Sequence, residues 1–159
     1  MEPLLKLLEE NALTSPEILA KRLNRPVDQI IKDIKRLEDE KVILAYKAIV
    51  DDEKANRQTV SAVIEVRITP ERDGGFNRLA ARISKYPEVT SCFLMSGGYD
   101  LLVFVEGQSL KQVATFVSEK LSTIHGVLST ATHFMLKTYK EQNVLLAGED
   151  HDERLKVSP

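Results

Sequence analysis

The apolar positions of this chain change period about a third of the way along it. Between Leu4 and Leu37 they recur every three to four residues, the spacing of helices that bury one side. Leu4, Leu5, Leu7 and Leu8 mark a first helix that ends near Asn11. Ser15-Pro16-Glu17 opens a second: a capping oxygen, a proline suited to the first helical position, and an acid at the positive end. Ile18, Leu19 and Leu23 face inward there, and Asn24, which tolerates the left-handed conformation, closes the helix. Pro26 opens a third helix running to Lys41, with Val27, Ile30, Ile31, Ile34 and Leu37 on one side. Val42-Ile43-Leu44 and Tyr46 to Val50 then predict a two-stranded wing.

From Val60 the period drops to two. Val60, Ala62, Ile64, Val66 and Ile68 alternate with mostly polar partners, as in a half-buried strand. Asp73-Gly74-Gly75 breaks it, and Phe76, Leu79, Ala80, Ile83 and Tyr86 form a helical stripe that Pro87 closes. A strand from Val89 to Met95 turns at Ser96-Gly97-Gly98-Tyr99-Asp100 into Leu101 to Val105, which is apolar throughout and so central in its sheet. Ser109-Leu110-Lys111-Gln112 reads as a capping box for a helix with Leu110, Val113, Ala114, Val117, Leu121 and Ile124 inward. Gly126 stops that helix, and Val127 to Tyr139 supplies a fourth strand. The order β-α-β-β-α-β is that of a ferredoxin-like unit. The expected fold is therefore α+β: residues 1–50 a winged helix-turn-helix, 51–58 a polar linker, 59–147 a ferredoxin-like domain, and 148–159 a charged tail.

Charge narrows the function. Lys and Arg number 22 against 24 Asp and Glu, a net −2, so contact with nucleic acid has to come from a local patch. One exists. From Ala20 to Arg36 six cations (Lys21, Arg22, Arg25, Lys32, Lys35, Arg36) face two anions (Asp28, Asp33), while Met1–Leu19 is acidic. These six, with Gln29 of the third helix, are the candidate contacts to double-stranded DNA. Two readings stay open: a phosphate-binding face, or a solvated face with local pairs such as Asp28 with Lys32. Asp33, on the same helix, would repel phosphate.

The turn at Ser96, Gly97, Gly98, Tyr99 and Asp100 is the second candidate site. It sets backbone N–H groups beside a hydroxyl, a phenol and a carboxylate, the partners that a zwitterionic amino acid needs. Thr130 and Thr132, two apart on the last strand, are candidates for a wall of the same pocket. The competing reading is a tight hairpin with Asp100 bracing it.

Catalysis finds no support. His125, His133 and His151 have no second histidine or cysteine at metal-ligand spacing, and no nucleophile-elbow, zinc-protease or phosphate-loop sequence occurs. No enzyme activity, cofactor or metal is expected. Cys92, the single cysteine, excludes a disulfide framework and reads as a buried structural thiol. Leu101–Val105, the longest apolar run, is too short to cross a bilayer, and Met1-Glu2-Pro3-Leu4-Leu5-Lys6 lacks the pattern of a secretory signal. The expectation is a cytoplasmic protein with no membrane partner.

Three stretches in register with both halves carry a resemblance: Leu19-Ala20-Lys21-Arg22-Leu23, Ile34-Lys35-Arg36-Leu37-Glu38-Asp39-Glu40-Lys41-Val42-Ile43, and Met95-Ser96-Gly97-Gly98-Tyr99-Asp100-Leu101-Leu102-Val103. From about Leu4 to Leu146 the chain resembles the Lrp/AsnC family of feast/famine transcription regulators. The resemblance implies a sequence-specific DNA-binding regulator without enzymatic activity, whose second domain binds an amino acid or related metabolite near the Ser-Gly-x-Tyr-Asp turn. It also implies homodimers that assemble further, often to octamers. The chain departs from the family at Lys41, where glycine is usual, at Asp33, where arginine is common, and in a short N-terminal lead-in. The alternative function is a metabolite-sensing or interaction protein that no longer binds DNA strongly.

Overall fold

The computed structural model describes residues 2–69 and 75–146, so the expected charged tail and the Asp73-Gly74 break lie outside the described residues. The chain divides into two compact units, Met1–Ala48 and Ile49–Pro159.

The first unit holds three helices, α1 (Glu2–Glu10), α2 (Pro16–Leu23) and α3 (Val27–Asp39). Leu4, Leu8, Leu19, Ala20, Ile30 and Leu37 are its buried core, with Leu5, Leu7, Leu23, Val27, Ile34 and Ile43 packed around them. Ile18 and Ile31, expected inward, lie outside this narrow stripe and are half exposed. Ser15 caps α2, its Oγ accepting from the Ile18 amide at 3.4 Å. Asn24 ends it at φ 51°, so only Asn24, Arg25 and Pro26 join α2 to α3. Asn24 is one of the few residue types that enter the left-handed region at small cost.

The two-stranded wing expected over Val42–Val50 is not formed: no strand is present there. The end of α3 supplies the reason. Lys41 turns left-handed at φ 58°, and the amides of Val42 and Ile43 both bond back to the Leu37 carbonyl, at 2.9 and 3.0 Å. Val42 and Ile43 thus complete a helix terminus rather than start a ladder, and Leu44-Ala45 has none of the turn residues a tight hairpin needs. Tyr46 instead donates its hydroxyl to Glu38 of α3 at 3.0 Å. Beyond it, Asp51–Arg57 is a hydrogen-bonded turn: Asp51 accepts from the Lys54 and Ala55 amides, and the Asp52 carbonyl from Arg57.

The second unit is β1 (Val60–Ile68), α4 (Gly75–Ile83), β2 (Val89–Leu94), β3 (Leu101–Gly107), α5 (Leu110–Thr115) and β4 (Val127–Phe134). The sheet order is β2-β3-β1-β4 with every pair antiparallel, the ferredoxin-like arrangement. Ala62, Ile64, Val66 and Ile68 of β1 and Leu101, Val103 and Val105 of β3 point to one face, where Ile83 of α4 and Val113 of α5 complete the core. After Thr115 the helix continues as a π-helix over Phe116–Leu121. That wider turn puts Phe116 and Leu121, five apart, into the core. Ala114 and Leu110, expected inward, are exposed in the α-helical part of this element, whereas Val113, Leu121 and Ile124 are buried as expected.

β4 ends at Phe134 rather than Tyr139, and a short hairpin follows, β5 (Lys140–Glu141) and β6 (Val144–Leu145). Gln142 and Asn143, both at positive φ, form its turn. On the sheet face opposite α4 and α5 lie Val63, Glu65, Leu102, Phe104 and Phe93, with Phe93 and Phe104 in edge contact at 6.0 Å. Phe93 is 51% exposed there.

Candidate nucleic-acid interface and effector turn

The six cations counted in the sequence divide into two groups. Lys21, Arg22, Lys32 and Lys35 are exposed and form no ion pair among the described residues. Arg25 and Arg36 are both bound to Asp33: Arg25 Nη2 donates to Oδ2 at 2.5 Å and Arg36 Nη2 to Oδ1 at 2.9 Å. The Arg25 guanidinium, above all by its hydrogen bond and further by its charge, holds the Asp33 carboxyl below the ordinary aspartate range. The carboxylate that forms local pairs is thus Asp33, not Asp28. Gln29 lies exposed on the same helix.

α3 separates these roles by its geometry. Ile30, Ile34 and Leu37 fix the inward line, Lys32 and Lys35 fall on the outward side, and Asp33 lies at the margin with only 18% of its side chain exposed. Arg36, one turn beyond Asp33, and Arg25, in the short α2–α3 connection, reach it from either side.

In the second unit, β2 and β3 are joined by Met95–Asp100. The Met95 amide bonds to the Asp100 carbonyl at 2.8 Å, the Asp100 amide to the Val66 carbonyl at 3.0 Å, and Asp100 Oδ2 accepts from the Ile68 amide at 2.8 Å. Asp100 therefore ties the hairpin to the end of β1, the bracing role, while its second oxygen accepts no hydrogen bond from the described residues. The amides of Ser96, Gly97, Gly98 and Tyr99 likewise donate to no described group. Gly97 has φ +137°, which side chains rarely adopt, whereas a Cβ at Gly98 would meet open space. The turn thus offers a cluster of free donors beside a half-buried carboxylate.

Thr130 and Thr132 are not brought to this turn within one chain. They pair with Val66 and Ile64 across β1, on the far side from β3, and Thr130 meets Ser122 at 3.3 Å. Sequence reasoning also missed the contact of His133 Nε2 with Glu65 Oε1 at 3.4 Å, on the sheet face opposite the helices. Nothing in the spacing reports it, because it joins a diagonal pair across two strands. Cys92 is half-buried at the β2 edge, and burial pushes its thiol up. Among the described residues no group of three or more His, Cys, Asp or Glu could hold a metal, and no helix is long and apolar enough to cross a membrane.

Comparison with known proteins places this arrangement. Residues 61–145, the span of the sheet and its helices, match the Lrp/AsnC ligand binding domain. Over its whole length the chain is similar to the helix-turn-helix-type transcriptional regulator YugG of Bacillus subtilis, 45% identical over 157 residues, covering 98% of this chain and 95% of the relative. A transcriptional regulator of Neisseria meningitidis, solved in complex with L-Met, superposes with a TM-score of 0.69 at 30% identity, covering 87% of this chain and 88% of that one. AsnC of E. coli shares the fold, with a TM-score of 0.66 at 20% identity over 87% of this chain and 91% of its own. These relatives are regulators rather than enzymes, and a match running through both units at such identity is that of common descent: the chain belongs to the Lrp/AsnC family of transcriptional regulators.

Proposed function

We propose that this protein is a cytoplasmic regulator that binds double-stranded DNA through α2 and α3 and whose binding is modulated by an amino acid or related metabolite. The observation that carries the reading is the uncommitted charge of Lys21, Arg22, Lys32 and Lys35, gathered on two short-linked helices of a chain whose net charge is −2. In this reading α2 and α3 are the helix-turn-helix, the cations meet phosphates, and Gln29 is a base-edge reader. The boundaries 1–50, 51–58 and 59–147 divide the chain into DNA-binding, linking and effector-binding parts.

The effector is held at Ser96–Asp100, its carboxylate on the backbone amides of the turn and its ammonium on the second carboxylate oxygen of Asp100. The Neisseria relative in complex with L-Met supports the ligand class. Thr130 and Thr132, on the other side of β1, would reach such a ligand only from a neighbouring copy. The half-apolar sheet face around Phe93, Leu102 and Phe104 supports a homodimer that assembles further. Light scattering should show a dimer or larger, and a stable monomer at micromolar concentration would overturn the assembly.

The deciding experiment is a salt titration of duplex binding. Phosphate contacts make log K fall linearly with log salt by about 0.9 per phosphate, and replacing Lys32 and Lys35 with alanine should weaken binding and flatten that slope. Amino-acid binding without any salt-dependent duplex binding would instead favour a metabolite sensor that has lost its DNA.

A further inference from the structure

We propose that Asp33 sets the specificity of the α2–α3 surface by withholding Arg25 and Arg36 from sequence-independent phosphate contact. The proposal rests on the DNA-binding reading above and names how that surface is tuned.

Both oxygens of Asp33 are used, each by a different guanidinium. Asp33 is the least exposed of the three, 18% against 31% for Arg25 and 48% for Arg36, so the two long side chains are drawn to it. Arg25 comes from the α2–α3 connection and Arg36 from the next turn of α3, and the carboxylate stands between them where two phosphate oxygens would otherwise fit. A phosphate arriving there must displace a carboxylate that is tethered in place and never diffuses away. Among the described residues, Lys21, Arg22, Lys32 and Lys35 are in no ion pair with a carboxylate.

The surface therefore has four cations that act on any duplex and two arginines in reserve. The reserved pair engages only where a binding site brings a phosphate or a guanine edge close enough to replace Asp33. Discrimination is a difference between two affinities, and lowering the non-specific one raises it as surely as adding a specific contact. The contrary possibility is that Asp33 aims both arginines at DNA, and it predicts the opposite sign on mutation.

The test compares the full-length protein with Asp33→Asn on a random-sequence duplex across a salt series. Asp33→Asn should bind more tightly and steepen the slope by about 0.9 per released arginine, up to roughly two units. Between 50 and 200 mM salt that corresponds to roughly a threefold change per phosphate. Arg36→Gln should leave the native slope nearly unchanged but lower it by about 0.9 in the Asp33→Asn background. Arg25→Gln and Arg36→Gln in the native background keep Asp33 and read the same point even if Asp33→Asn fails to fold. If each lowers the slope as much as Lys35→Gln does, the proposal is wrong. A native protein that binds with a salt-dependent slope while Asp33→Asn binds equally or more weakly overturns the proposal alone. If neither protein binds duplex at all, the DNA-binding reading falls with it.

Discussion

Asp33 on α3 and Asp100 at the head of β3 both turn a charge that the sequence places beside a binding surface back onto the chain, but with different partners. Asp33 binds two arginine side chains at the margin of a helix, where solvent and dissolved ions can compete. Asp100 binds the Ile68 amide at the end of a core strand, 32 residues away in sequence. Surface ion pairs contribute little to stability because water and salt screen them, whereas a half-buried bond to a backbone amide is costly to leave unmade. Under the proposals above, the first carboxylate gives way to a ligand. The second keeps its bond to the Ile68 amide and would be shared with a ligand.

The largest effects should follow from breaking Asp100. Asp100→Ala strands the Ile68 amide and unties the hairpin, a loss of roughly 1–3 kcal/mol in stability. Asp33→Ala should shift the melting temperature less. Asp100→Asn keeps an acceptor and should fold normally, yet removes the charge offered to an ammonium. Calorimetry with L-methionine and a panel of other amino acids would then show affinity down by one to two orders of magnitude, from about 1.5–3 kcal/mol. Equal affinities at equal melting temperature would confine Asp100 to bracing.

Backbone strain sharpens the same contrast on a smaller scale. Lys41 adopts φ 58° at the end of α3, a left-handed conformation that disfavours every side chain. Lys41→Gly relieves it, and a gain of roughly 1 kcal/mol in denaturant unfolding is expected without change in duplex affinity. In the Ser96–Asp100 turn the two glycines should separate: Gly97→Ala loses about the same amount because of its φ of +137°, while Gly98→Ala leaves stability untouched. A drop in effector affinity for Gly98→Ala at unchanged stability would mean that the ligand approaches its open Cα.

The course of the chain was legible where one period persisted. The β1 alternation Ala62, Ile64, Val66, Ile68 and the capping of α2 by Ser15 and Asn24 appear in the structure as read, because both depend on residues near in sequence. The wing failed because Val42–Leu44 is apolar but committed to the α3 terminus through Leu37, a hydrogen-bonding fact that hydropathy does not carry. On the last helix Val113, Leu121 and Ile124 are buried as read, whereas Leu110 and Ala114 are exposed and Phe116, one α-spacing after Val113, takes the inward place instead. At the candidate sites the residue types were visible but their commitments were not. That Arg25 and Arg36 converge on Asp33 depends on the tight α2–α3 connection, and that Thr130 stands across β1 from the turn depends on strand order.

The smallest effect concerns acid. The Arg25 guanidinium holds the Asp33 carboxyl below the ordinary aspartate value, so the folded protein binds that proton less readily than the unfolded chain. Charged Asp33 therefore contributes to stability at and above the ordinary aspartate range, and the contribution is lost as pH falls through the lowered folded value. Asp33→Asn has no proton to take up, so the gap between native and mutant, followed by circular dichroism in denaturant, should be open near neutrality and close as pH falls below the ordinary aspartate range. Glu88 and Asp51 are also held low, by Lys120 and by the Lys54 amide, but they are present in both proteins and cancel in the difference. Added salt should narrow the gap at neutral pH as well, since screening weakens exposed pairs. A gap that stays constant through the acid range would mean that Asp33 is not ionised against Arg25 in the free protein, and the arginines would then be as available to phosphate as the lysines beside them.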